Sequence, residues 1–232
     1  VDKAQRRLQR PAVAAGRLTV QLASLSLSAE PFFGEPAAAP RRRSRSVALS
    51  DAPCVFCGVR SAKWQATCCP DDNPPAVSPA CPLCALARRL DRPRIDAEAV
   101  LIWLPQMSQQ AVNTIMREIH TQLRTLGEML GDDDVLRLRT PGRHALCSAR
   151  AELTARAAGA ASRLGTDAPS ELGSALCRLS PSVYARRSAL LGGLRVLPRG
   201  RLFEADRDVY PEIVDTWIEL AKAAPVQHRP QA

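Results

Sequence analysis

Two Cys-x2-Cys pairs stand close together in this chain, Cys54-Val-Phe-Cys57-Gly and Cys81-Pro-Leu-Cys84, with 23 residues between them. Each pair suits a knuckle turn, in which both sulfurs approach one ion while backbone N–H groups point at them. Gly58 eases the first turn because glycine tolerates positive φ. Two knuckles supply four thiolates at tetrahedral angles, the closed set of a structural zinc site with Zn–S near ~2.3 Å. Cys54, Cys57, Cys81 and Cys84 are therefore the expected metal ligands, with zinc favoured over iron of the rubredoxin kind. Disulfides are the alternative use of the same residues, but paired Cys-x2-Cys units point to a reducing compartment and a metal. Catalysis at the ion would need an open coordination position, which four thiolates do not leave.

The other residues with chemical potential are less well placed. Cys68 and Cys69 fall between the knuckles and read as bystanders, although either could replace a ligand. His120, His144 and His228 lie outside the cluster, and His120, next to a core-facing position of a long helix, reads as a surface residue or a satisfied boundary residue rather than as a ligand. Asp132, Asp133 and Asp134 lack calcium-loop spacing and read as a solvated loop. Arg41, Arg42, Arg43 and Arg45 could touch nucleic acid or acidic lipid, but no aromatic residue interrupts them for stacking, so a solvated linker explains them equally well. The net charge of +9 is uneven: residues 1–50 hold nine Lys and Arg against three acids, leaving +3 for the remainder. The body is nearly balanced, which makes nucleic acid an unfavoured partner.

The elements that must position the cysteines follow from periodicity. Leu18, Val20 and Leu22, then Leu25 and Leu27 after a one-residue slip, alternate as a strand with a bulge. Residues 51–94 are rich in Pro, Asp and Asn, so the ligands are expected on turns rather than on long elements. Residues 99–104 form a continuous apolar run ending at Pro105, as a buried strand does. Ser108 then suits the N-cap of a helix of about 22 residues ending at Gly131, with Val112, Ile115, Met116, Ile119, Leu123, Leu126 and Leu130 on one face. Residues 145–163 and 170–179 read as Ala-rich helices, and residues 189–197 are ambiguous because of Gly192 and Gly193. Tyr210, Ile213, Val214, Trp217, Leu220 and Ala221 line a last helix, with Pro211 at its start.

The sum is an α+β protein in which a four-cysteine zinc-knuckle module packs with a short sheet against several helices. Its organisation divides into a basic, Pro- and Arg-rich segment over residues 1–50, the zinc module over 51–98, a strand and helices over 99–224 forming one body with it, and a frayed tail over 225–232. No apolar run approaches the ~20 residues of a membrane helix, and no signal-type stretch follows the basic start. A soluble chain, or one peripheral to a membrane through its partners, is expected.

Cys54-Val-Phe-Cys57-Gly-Val-Arg-Ser-Ala-Lys-Trp-Gln, an Asp- and Asn-containing loop, and then Ser-Pro-Ala-Cys81-Pro-Leu-Cys84 resemble the metal-binding half of HNH endonuclease-like proteins. With the continuation Val100-Leu-Ile-Trp-Leu-Pro-Gln-Met-Ser-Gln-Gln-Ala-Val-Asn-Thr-Ile, the chain more narrowly resembles the DotN (IcmJ) family of type IVB secretion systems. Members pair two knuckles with an apolar strand, a Leu-Pro-x-x-Ser/Thr-Gln turn and a helix. The similarity runs over residues 51–224 and extends to Leu194-Arg-Val-Leu-Pro198-Arg and the Trp217 helix. It implies a non-enzymatic adaptor at the cytoplasmic face of the inner membrane, clasping an extended C-terminal segment of a coupling ATPase and supporting effector recruitment. Cys54, Cys57, Cys81 and Cys84 match the family's metal ligands. Two other readings compete. A nucleic-acid-binding zinc protein would use the Arg41 to Arg45 run. An HNH-like nuclease would need a histidine base, yet cysteines stand where the paired histidines would be, leaving Asp71, Asp72 and Asn73 as the only groups there that could bind an ion.

Overall fold

A computed structural model describes residues 25–29, 53–61, 65–69, 76–127 and 141–223, with the side chains of 65–69, 76–78 and 141 outside that description. The Arg41 to Arg45 run, Asp71 to Asn73, Asp132 to Asp134 and His228 lie outside the described residues, as does the expected strand before Leu25.

The described chain mixes helices with small antiparallel sheets. After the first cysteine pair comes a hairpin of β1 (Gln65–Cys69) and β2 (Ala76–Ala80), in which Gln65 faces Ala80 and Cys69 faces Ala76. The chain then enters α1 (Pro82–Arg88), and all seven of its residues are buried. Pro82 suits the first turn, where its missing N–H costs nothing. A short α2 (Ile95–Glu98) leads into β3 (Ala99–Trp103), the apolar strand expected from the sequence.

Ser108 caps α3 (Gln109–Thr125), its hydroxyl accepting from the Ala111 N–H at 3.2 Å. The helix stops at Thr125 rather than running to Gly131. Gly127 has φ 80, a left-handed value suited to the residue after a helix cap, and Leu126 is 52% exposed instead of lying on the buried face. The Ala-rich stretch expected as one helix is two, α4 (Pro141–Ala155) and α5 (Ala157–Leu164), separated at Arg156. There α5 turns to lie along β3, and the Arg156 carbonyl accepts from the Trp103 N–H at 3.1 Å.

Short helices α6 (Pro169–Cys177), α7 (Pro181–Ala185) and α8 (Arg187–Leu190) follow. The ambiguous segment resolves as β4 (Leu194–Pro198), paired antiparallel with β3 so that Leu101 faces Val196. A two-residue ribbon of β5 (Phe203–Glu204) and β6 (Arg207–Asp208) precedes α9 (Tyr210–Ala223), which packs on α3 and buries Tyr210, Ile213, Val214 and Trp217. Leu220, expected on the same face, is 39% exposed.

The β3–β4 sheet has only two strands, yet neither edge is bare. The Leu101 and Trp103 N–H groups on one edge donate to the carbonyls of Asp167 and Arg156. On the other edge the Gln109 side chain imitates a strand peptide: its Nε2 donates to the Val196 carbonyl at 2.7 Å and its Oε1 accepts from the Val196 N–H at 2.8 Å. Buried Glu98 fixes the ribbon beside the sheet, taking both Arg92 nitrogens at 2.6 and 2.7 Å and the Phe203 N–H at 2.7 Å. Such a pair is held by its additional hydrogen bonds as much as by charge.

Leu25–Ala29 is not a strand, in contrast to the sequence expectation, but an extended strap buried against the body. Ser28 exchanges backbone bonds with Ala87 and Leu90 at the end of α1, which orders the strap without a strand partner. Arg187 Nε donates to the Leu27 carbonyl, and the Tyr184 hydroxyl to that of Ala29. Leu25, Leu27 and Ala29 join the core.

Candidate metal centre

The sulfurs of Cys54, Cys57, Cys81 and Cys84 lie within 4.8 Å of one another, and all but that of Cys57 belong to fully buried residues. They arrive from two different kinds of structure. Cys54 and Cys57 sit on a turn closed by the Gly58 N–H to the Cys54 carbonyl at 2.8 Å and the Cys54 N–H to the Val59 carbonyl at 2.9 Å. Gly58 takes φ 70, as the first knuckle requires. Cys81 and Cys84, by contrast, are the N-cap and third residue of α1, so the expectation that the ligands occupy turns holds for one pair only. A helical start does the work of a second knuckle because residues three apart share a helix face. The Val55 N–H to the Pro79 carbonyl, 3.2 Å, draws the two halves together.

The donor set fits a tetrahedral thiolate-bound ion. Four sulfurs at ~2.3 Å from one centre stand ~3.8 Å apart, and the Cys57 and Cys81 sulfurs are 3.6 Å apart. That separation is far from the ~2.05 Å of a disulfide, and all four cysteines are free thiols. Cys68 and Cys69 lie on β1 opposite Val77 and Ala76. Among the other described cysteines, Cys147 and Cys177 are half-buried on α4 and α6.

Crowding four sulfurs into one pocket sets their acidity in opposite directions. Hydrogen bonds from Cys57, Cys81 and Cys84 hold the Cys54 thiol far below its usual range. Cys57, pushed up by Cys54 and pulled down by Cys81 and Cys84, settles at about 7. Cys81 and Cys84 are driven well above the ordinary thiol value by their neighbours, Cys54 first, and by burial. Sulfurs this close cannot all be anions unless a cation joins them, which is the condition a bound divalent ion satisfies.

Two α3 side chains point at the sulfurs, and neither has a cysteine-like signature. Asn113 Nδ2 donates to Cys84 Sγ at 3.4 Å, and Arg117 Nη1 to Cys57 Sγ at 3.8 Å. Asn113 is itself oriented by Gln109, whose Nε2 reaches its Oδ1 at 2.9 Å. A line of polar contacts therefore runs from the β4 backbone through Gln109 and Asn113 to a candidate ligand. Such groups orient ligands and offset their negative charge.

No protein-family model and no curated protein matches this chain.

The expected histidine placements divide. His144 is exposed on α4, away from the sulfurs by sequence and element. His120 is not a surface or boundary residue: it is fully buried, with Nδ1 2.7 Å from the Tyr210 hydroxyl. Burial, aided by the Arg150 charge, pushes it down to about 3, so it stays neutral. It is not one of the grouped ligand candidates. Among the described residues, no helix is long and apolar enough to cross a membrane.

Proposed function

We propose that the chain is a non-enzymatic adaptor of a type IVB secretion coupling complex, built around one structural zinc ion held by Cys54, Cys57, Cys81 and Cys84. The observation carrying this reading is the closed, buried four-sulfur cluster with its amide and guanidinium donors, which supports a fold-stabilising ion over one that opens a position to substrate. When bound, zinc would fix the first knuckle to α1 and release the strain of crowded thiols. The resemblance to the DotN family supplies the partner: an extended C-terminal segment of the coupling ATPase, which would bring the chain to the cytoplasmic face of the inner membrane.

Two measurements test the reading separately. Metal analysis of the purified protein should give one zinc per chain, lost in Cys57→Ser and Cys84→Ser; unchanged metal content in either variant would sink the site. Co-expression with a coupling ATPase tail should yield a complex on purification. Failure of every such tail to bind metal-loaded protein would remove the adaptor role while leaving the zinc site standing.

A further inference from the structure

A groove of about 580 Å³ opens beside the metal centre, between the first knuckle, α3 and the C-terminal half of α9. Its apolar surface comes from Val59, Trp217, Leu220 and Ala221. Leu220 is one of the few large apolar side chains the described residues leave exposed, at 39%. Its charged lining is lopsided. Arg60, exposed on the knuckle, has no hydrogen-bond or ion-pair partner among the described residues. Arg117 contributes a second guanidinium, which contacts Cys57 Sγ through Nη1 and has further N–H donors to offer. The carboxylate there, Glu118, already accepts from Gln122 Nε2 at 2.6 Å. The floor is therefore apolar while the lining carries two cations against one engaged acid.

We propose that this groove receives a peptide segment of a partner protein bearing a large apolar side chain flanked by carboxylates. The apolar side chain would cover Leu220 and the Trp217 edge, while the carboxylates would face Arg60 and Arg117. Charge selects this occupant over residues 224–232. Ala223 lines the groove, so residues 224–232 start from its rim, but their one side chain charged at neutral pH is Arg229, of the same sign as the groove's cations. The proposal rests on the adaptor reading and locates where its partner sits. Arg117 joins the two sites, touching a candidate ligand sulfur while lining the groove, so an occupied groove and a loaded metal centre share one guanidinium.

The test uses the metal-loaded 232-residue chain and fluorescein-labelled synthetic peptides carrying Leu and Phe between Glu, Gln or Lys flanks, read by fluorescence anisotropy. Glu-flanked peptides should bind, more weakly as salt rises, and Gln- and Lys-flanked ones should not. Arg60→Glu and Leu220→Asp, both at exposed positions, should each weaken binding by about tenfold with metal content unchanged, while Arg60→Lys should retain it. Equal binding of Lys-flanked peptides, or undiminished binding by both variants, would overturn the proposal. Binding that emerges only after removal of residues 224–232 would give the groove to those residues. Concentration-dependent self-association abolished by Leu220→Asp would give it to a second copy. If an ATPase tail co-purifies with both variants as with the parent, the adaptor stands and the groove falls. If peptides bind as expected but no tail does, the groove stands and the coupling-complex assignment falls.

Discussion

Asn113 brings one uncharged donor to the four-sulfur cluster. Its amide donates to Cys84 Sγ, and Gln109 fixes the direction of that donation. Asn113→Ala should lower zinc affinity by about 10–100-fold, measured by competition with a chromogenic chelator. Gln109→Ala should have a smaller effect, since Asn113 keeps its place on α3; equal affinity of Asn113→Ala and the parent would show that the contact is incidental. The grouping of the four cysteines was legible because the spacing of the two pairs brings their sulfurs together. Gln109, Asn113 and Arg117 were not, because they occupy positions on or beside the buried stripe of α3, where periodicity is judged from apolar residues alone. Recognising that 109, 113, 116, 120 and 123 share one face would have flagged Gln109, Asn113 and His120 as buried polar groups.

His120 carries a separate, pH-dependent consequence at the same scale. Folding holds it neutral down to about 3 from an ordinary 6.5, with Tyr210 and Arg150 beside it, so the unfolded chain takes up a proton first as pH falls. Its contribution is complete above 6.5 and is lost progressively between those two values. His120→Asn keeps a polar partner for Tyr210 but cannot titrate there. Urea unfolding of the parent should lose roughly 1.4 kcal/mol more per pH unit than the variant within that window. The comparison cancels acid-induced metal loss, which both proteins share; parallel profiles would refute the assignment.

At the scale of elements, the sheet was half legible. β3 announces itself as an unbroken apolar run, whereas β4 hides behind Gly192 and Gly193. Gly193 marks close packing rather than a flexible loop, whereas Gly192 beside it is exposed. A Cβ at Gly193 would lie 2.6 Å from the Trp103 ring, and the Gly193 carbonyl accepts from the Leu104 N–H at 2.7 Å. Gly193→Ala should therefore destabilise the protein by roughly 1–3 kcal/mol, as overpacked sites do, seen as a lower urea midpoint at unchanged slope. Gly193 also holds φ 95, so an unaltered midpoint would mean that neither the Trp103 ring nor the left-handed backbone resists a Cβ. The early stop of α3 and the break at Arg156 were not readable, because both are set by what the helix ends meet in space. Leu126 and Leu130 continue the apolar spacing, yet Leu126 has no core to enter.

For the whole molecule, α1 is the pivot. It carries Cys81 and Cys84, is buried along its length, and packs on α3 and β4 as well as on the β1–β2 hairpin. Metal loss should consequently be felt beyond the knuckle. If removal of zinc by a strong chelator costs even ~5 kcal/mol, Tm should fall by about 10–20 °C, with loss of helical circular dichroism recovered on adding zinc. An unchanged melting curve after verified metal removal would confine the ion's role to its own turn. The mixed helical and small-sheet character was legible from the sequence. The packing of α1 on α3 and β4 was not, since it joins segments far apart in the chain.

The strap Leu25–Ala29 sets an order of events during synthesis. Ala29 meets the Tyr184 hydroxyl across 155 residues, so on a ribosome the strap emerges long before its seat is complete, although its α1 side comes earlier. At ~5–20 residues per second, that interval is roughly 8–30 s. Leu25 and Leu27 spend it without the full surface that later buries them, open to any chaperone that recognises short apolar stretches. Completing that seat is thus a late step of biogenesis, and a chain stalled before Tyr184 would leave the ribosome with this core segment only half sheltered.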